Sequence, residues 1–288
     1  MPRFSGEART ADPVSVTREG HRTCFKWHRA RRRLSDPVFT GRRILEGMAL
    51  GASVEVDLVV HGEQGFAVLH DNRDIARETT GQGPVAGLTA AQLRALHLRD
   101  NSGQPIEDRV MLLEDLCTLL AQNPPHPDAL LQLDYKEDSR SLPPETVANF
   151  AKRVGPVAGS MILSSGDAAS VSLLCDATPG LHVGYDPCHD GALDRLAKTR
   201  DFAGFVAGAI ADSPKAEMIY LAYPMILQAD EAGFDIIGAM HAAGRRVDAY
   251  TLRNADPGSI AIAEHLLALK ADQITTDDPE GLAAALTP

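Results

Sequence analysis

The chain has 288 residues, 44% hydrophobic and 23% charged, which is enough to bury a large core and excludes a disordered chain. No apolar run reaches the about 20 residues of a membrane-spanning helix, and the first twenty residues lack the apolar centre of a secretory signal. A net charge of −11 argues against a nucleic-acid binder, and four scattered cysteines (Cys24, Cys117, Cys175, Cys188) with no C-x-x-C pair predict a reducing, cytoplasmic location.

Residues 1–43 hold eleven Lys/Arg and four Asp/Glu, so the remainder is strongly acidic. Residues 1–22 read as an amino-terminal arm. The first predicted strand, TCFKWH (23–28), runs into His28-Arg29. The basic run Arg31-Arg32-Arg33 follows, either a solvated loop or a grip on a second anionic group of a ligand. A helix over 41–51 leads to the β-branched strand SVEVDLVV (53–60). Only HGEQG (61–65) separates it from FAVLH (66–70). Parallel neighbours need a crossover of about a dozen residues, so this pair is predicted to be an antiparallel hairpin. With the turn near Gly62–Glu63, Glu55 is placed roughly across from His70. Asp57 shares the face of Glu55, because strand side chains alternate.

The stretch 72–110 is long for a connection and reads as an insertion over one end of the fold. It contains a predicted helix over 89–98, capped by Thr89. A helix over 112–122 then precedes the strand ALLQLDY (129–135), which ends on Asp134-Tyr135-Lys136. The strands MILSS (161–165), LHVGYD (181–186), EMIYLAY (217–223), RVDAYTL (246–252) and QITTD (273–277) follow, with a helix over 257–270 before the last. Alternating strands and helices predict βα units and a parallel sheet. With the hairpin's returning arm set aside, eight parallel strands remain. The predicted fold is an α/β TIM-like (β/α)8 barrel spanning 1–288 as one domain, with an antiparallel hairpin after strand 2 and a small insertion over the barrel mouth.

Barrel chemistry sits at the carboxyl ends of strands, so the polar residues there are the informative ones. Glu55, Asp57 and Asp134 offer three carboxylates suited to a hard divalent cation, Mg²⁺ or Ca²⁺. His28 and His70 offer an acid–base pair. Arg29 and Lys136 offer positive charge for a phosphate. Each signal is weak alone, but inward charges at a barrel mouth are costly unless they coordinate a metal or one another.

In order, the chain reads HRA (28–30), PVFT (37–40), E-V-D (55–57), VLHD (68–71), RETTGQGPVAGLTAAQLRAL (77–96), LLEDL (112–116), DYK (134–136) and ITTDDP (274–279). This succession resembles the glycerophosphodiester phosphodiesterases, TIM-like barrels with HRG…PENT, E-x-D, HD, E-x-K and ITD-x-P motifs. The resemblance runs from about residue 23 to the carboxyl terminus. It implies metal-dependent hydrolysis of a small glycerophosphodiester-like substrate to an alcohol and a phosphomonoester. Glu55, Asp57 and Asp134 would bind the metal, and His28 and His70 would be acid and base. Arg29 and Lys136 would hold the phosphate. Tyr250 stands where the family has a tryptophan and would contact substrate.

There are departures: Ala30 replaces the HRG glycine, Val38 and Phe39 replace the polar pair of PENT, and Asp134 replaces a glutamate. The aspartate is similar to that of sphingomyelinase D-type barrels, which gives one alternative, a phospholipase D-like lyase yielding a cyclic phosphate. Loss of the PENT pair gives the other, a degenerate barrel that binds a phosphorylated ligand without turnover.

Overall fold

The structure is a computed structural model and describes residues 13–189 and 191–287, so the first twelve residues of the expected arm lie outside the described residues. In chain order the strands are β1 (Ser15–Arg18), β2 (His21–Trp27), β3 (Ser53–Val60), β4 (Phe66–Val68), β5 (His97–Arg99), β6 (Pro105–Arg109), β7 (Leu130–Tyr135), β8 (Met161–Ser165), β9 (His182–Tyr185), β10 (Met218–Ala222), β11 (Arg246–Leu252) and β12 (Gln273–Thr276). Eight of them, β2, β3 and β7 to β12, pair in parallel, and the β2–β3 pairing closes the ring. Helices cover the outside, so the predicted TIM-like barrel is the observed one. No helix among the described residues is long and apolar enough to cross a membrane.

Alternation along β3 explains how apolar and acidic residues share one strand. Val54, Val56 and Leu58 are fully buried with the apolar core, while Glu55 and Asp57 take the intervening inward positions. The helix Gly41–Leu50 lies close over this strand because Gly47 has no side chain. A Cβ there would sit 2.6 Å from Val54 Cγ2 and 3.2 Å from Trp27.

The expected hairpin is present, but its register corrects the sequence reading. Leu58 pairs with Val68, Val59 with Ala67 and Val60 with Phe66. That register carries Asp57 toward position 69, and pairing stops at Val68, so Glu55 does not face His70. Two further pairings were not anticipated. β1 runs antiparallel to the start of β2, so part of the expected arm is a sheet edge. Within the insertion, β5 and β6 form a separate antiparallel ribbon. Thr89 does cap a helix, Ala90–Ala95, through a reciprocal pair with Gln92, but that helix ends early because residues 97–99 enter the ribbon.

Candidate active site

Strand register sets the site. Asp57 on β3 is level with Asp134 on β7, which is level with Ser164 on β8. Lys136 lies two residues beyond Asp134 and so projects the same way. Arg29 and Ala30, just after β2, both adopt left-handed backbone angles (φ 54° and 58°). This tight turn aims the Arg29 amide at Glu55 Oε2, 2.6 Å away. The departure from HRG therefore keeps the turn, at a cost of about 1 kcal/mol or more for a residue with a Cβ.

The centre of the cluster is Asp57, which is fully buried. Lys136 Nζ lies 2.7 Å from its Oδ1, and Arg29 Nε and His70 Nδ1 each lie 3.1 Å from its Oδ2. None of these contacts has hydrogen-bond geometry, so both carboxylate oxygens keep uncommitted lone pairs. Burial alone would raise its pKa, but the Lys136 charge, then His70 and Arg29, hold it well below the ordinary carboxylate range. Glu55 goes the opposite way: burial, and then the Asp57 charge, push it well above its usual value. Lys136 also donates to Asp134 Oδ2, and these carboxylates raise its pKa although burial opposes that.

Both histidines reach the cluster's surroundings. His28 Nδ1 lies 2.7 Å from Asp277 Oδ1, and a carboxylate can only accept, so Nδ1 carries the proton. Burial lowers the His28 pKa, and the Asp277 contact offsets this only in part. Arg31 Nη1 also meets Asp277, at 3.2 Å. His70 is held from behind by the insertion: Glu78 Oε2 accepts from the backbone amides of His70 (3.0 Å) and Asp71 (3.1 Å).

Both histidines, Arg29, Lys136, Glu55 and Asp134 open onto a cavity of about 680 Å³ at the barrel mouth, which also reaches Tyr250 and Asp186. The Tyr250 hydroxyl donates to Asp186 Oδ1 at 3.1 Å, and burial pushes its pKa up. The other Asp186 oxygen faces His189 Nε2 at 3.1 Å, a contact that raises the histidine's pKa. Asp277, Glu78, Asp186 and His189 were not among the expected site residues. Asp186 and Asp277 were visible as strand ends; Glu78 and His189 gave no signal.

Within the basic run, Arg32 and Arg33 are paired by the protein itself. Arg32 and Arg33 both pair with Glu280 on the helix Pro279–Leu286 (Arg32 Nε 2.5 Å, Arg33 Nη2 2.6 Å), and Arg32 also meets Glu46. Arg32 and Arg33 thereby join the first loop to the last helix, while Arg31 stands beside the site against Asp277.

The donor set fits a divalent cation. Glu55, Asp57 and Asp134 each offer an oxygen, and these atoms lie within 4.8 Å of one another. All three are hard oxygen donors, as Mg²⁺ and Ca²⁺ prefer. Both oxygens of buried Asp57 lack a hydrogen-bond partner, whereas buried acceptors are normally satisfied, so both remain able to ligate.

The model of the glycerophosphoryl diester phosphodiesterase family matches residues 44–281. That span contains every expected site residue except His28 and Arg29. Among solved structures, an Agrobacterium tumefaciens protein named as a glycerophosphoryl diester phosphodiesterase is 23% identical with a TM-score of 0.68, covering 92% of this chain and 96% of its own. A similarly named Silicibacter pomeroyi protein is 20% identical with a TM-score of 0.70, covering 92% and 93%. An Oleispira antarctica phosphodiesterase, solved with its product sn-glycerol-3-phosphate, is 18% identical with a TM-score of 0.61, covering 91% and 96%. A search of curated proteins finds no match. Neither the sphingomyelinase D-type reading nor the degenerate-barrel reading gains support from these relatives.

Proposed function

Since the chain belongs to the glycerophosphoryl diester phosphodiesterase family and is a phosphoric diester hydrolase, we propose that it hydrolyses a small glycerophosphodiester to an alcohol and a phosphomonoester. In this reading Glu55, Asp57 and Asp134 hold a divalent cation, Mg²⁺ or Ca²⁺. His28 is the base and His70 the acid. The observation that carries it is Asp57, a buried carboxylate with Lys136, Arg29 and His70 within 3.1 Å of its oxygens and hydrogen-bonded to none of them. The domain is taken as one unit acting in the cytoplasm, in keeping with its four free cysteines.

Bound at the triad, the cation would neutralise the phosphodiester and stabilise the added charge of the five-coordinate transition state. The protein's own groups do the rest. Arg29 and Lys136 rest against Asp57 and can meet the phosphoryl oxygens without leaving the cluster. His28, with Nδ1–H given to Asp277, keeps the Nε2 lone pair for taking a proton from the attacking water. His70 supplies a proton to the departing alkoxide. Tyr250, whose hydroxyl is committed to Asp186, offers its ring to the substrate.

The test is phosphomonoester release from a panel of glycerophosphodiesters by wild type, His28→Ala and His70→Ala. Each variant is expected to lose about 10²–10⁴-fold in kcat. An activated p-nitrophenyl diester should restore much of the His70→Ala activity and little of His28→Ala, since a good leaving group needs no acid. Wild-type turnover in both variants overturns the reading.

A further inference from the structure

The cavity at the barrel mouth is lined by further inward-facing polar residues, Lys26 and Gln132 among them, to which the proposed chemistry gives no part. Lys26 on β2 and Asp248 on β11 are buried, 2% and 0% exposed. Lys26 Nζ lies 3.2 Å from Asp248 Oδ2, sits 4.2 Å from the centre of the Tyr220 ring, and donates to Gln132 Oε1. Asp248 in turn accepts from Gln273 Nε2 (2.5 Å) and Thr275 Oγ1 (2.6 Å). The ammonium has three protons and three partners, so it is not waiting for a ligand. A buried ion pair is also poor evidence for stability, since desolvation offsets most of its attraction. Another reason for its presence is needed.

The reason lies in what Gln132 does next. Its Nε2 donates to Ser164 Oγ at 2.7 Å, and Ser164 Oγ donates to Asp134 Oδ1 at 2.7 Å. The direction of every bond is fixed by chemistry. An ammonium cannot accept, so the Gln132 oxygen must face Lys26 and its nitrogen must face Ser164. The serine oxygen then accepts, and its one proton goes to a carboxylate, which cannot donate. Of the three carboxylates, Asp134 is the least buried and therefore the one least held by packing. It is also the one on which this chain ends.

We propose that Lys26, Gln132 and Ser164 are positioning residues that hold Asp134 in its ligating orientation through a one-way buried hydrogen-bond chain. The proposal rests on the triad being the cation site. Partners that orient a metal ligand in this way are typically worth 10–100-fold in metal affinity.

The experiment is calorimetric titration of Mg²⁺ and Ca²⁺ into the metal-stripped full chain, with the melting temperature of the metal-free protein recorded beside it. Ser164→Ala removes one hydroxyl and fills nearly the same space. It is expected to weaken the Kd by about 10-fold or more, beside a modest fall in the metal-free melting temperature from the Gln132 amide left without its acceptor. Lys26→Gln is expected to weaken the Kd as well, and the double variant to bind no worse than the weaker single variant, because the two cut one chain. A purely structural role would lower the metal-free melting temperature alone and leave the Kd at the wild-type value. A Kd within twofold of wild type in Ser164→Ala, or fully additive losses in the double variant, overturns the proposal. Should Lys26→Gln fail to fold, Ser164→Ala decides alone. If wild type itself binds neither cation, the triad reading fails instead, an outcome distinct from wild-type affinity surviving in Ser164→Ala.

Discussion

His28 can act as a base only if one ring nitrogen keeps a free lone pair, and that is decided by Asp277. With Asp277 ionised, Nδ1–H is fixed and Nε2 is free. In Asp277→Asn the amide can donate to Nδ1 and drive the proton to Nε2, closing the reactive atom. The variant is expected to fold and to lose on the order of 10²–10⁴-fold in kcat, as for other buried carboxylates that set a histidine tautomer. Burial holds the His28 pKa below its ordinary 6.5, so the acid limb of the wild-type kcat/KM profile should fall at pH values below 6.5. The same shift has a sign for stability. Above pH 6.5 both folded and unfolded histidine are neutral and nothing is lost. As pH falls from 6.5 toward the depressed folded value, the unfolded chain takes up the proton first and stability drops. A kcat/KM limb centred above 6.5, or full turnover in Asp277→Asn, would reject the dyad. Asp277 illustrates what one sequence conceals. Its place at the end of the last predicted strand was legible, but which residue of the first strand it meets depends on barrel closure, 249 positions away.

Individual elements show the same division. The strands 53–60, 161–165 and 246–252 coincide with their predicted bounds, because each is a β-branched or apolar run ended by loop residues. β6 was invisible: Pro105–Arg109 is almost wholly exposed and has no apolar alternation to mark it. β1 is only four residues long and is held by pairing with β2. The hairpin was foreseen and its register was not, since register is set by the turn and not by strand composition. On sequence alone the Arg31–Arg33 run stays open between a solvated loop and a grip on a ligand. Local charge could not show that the fold supplies Arg32 and Arg33 with the counter-charges Glu46 and Glu280 from elsewhere in the chain. The double variant Arg32→Ala/Arg33→Ala is therefore expected to lose about 1 kcal/mol of stability, the upper end for partly exposed pairs acting as a network. Its KM should stay at the wild-type value. Urea unfolding alongside steady-state kinetics would decide this, and a raised KM with unchanged stability would return the run to the substrate.

At the scale of the whole molecule, the barrel gathers negative charge at one end of a closed ring and balances it incompletely. Lys136, Arg29 and His70 all lean on Asp57, which leaves Glu55 buried beside a charged neighbour and with its pKa raised. Because the Glu55 pKa is raised, the folded state loses stability as pH climbs above the ordinary carboxylate value of 4.5, and a cation bound by the triad would reverse that. A ligand that binds only the folded state adds about 2.7 kcal/mol at one hundred times its Kd. For a chain of this size each kcal/mol is worth roughly 2–4 °C, so saturating Mg²⁺ or Ca²⁺ should raise the melting temperature of stripped protein by about 5 °C or more. EDTA should remove both that increment and the activity. Glu55→Gln separates repulsion from ligation. It keeps an acceptor for the Arg29 amide but carries no charge, so the metal-free variant should melt at or above the wild-type temperature. Its response to added cation should be small or absent. If instead Glu55→Gln melts lower than wild type without metal and still gains the full increment with it, Glu55 is a structural carboxylate and the cation lies elsewhere.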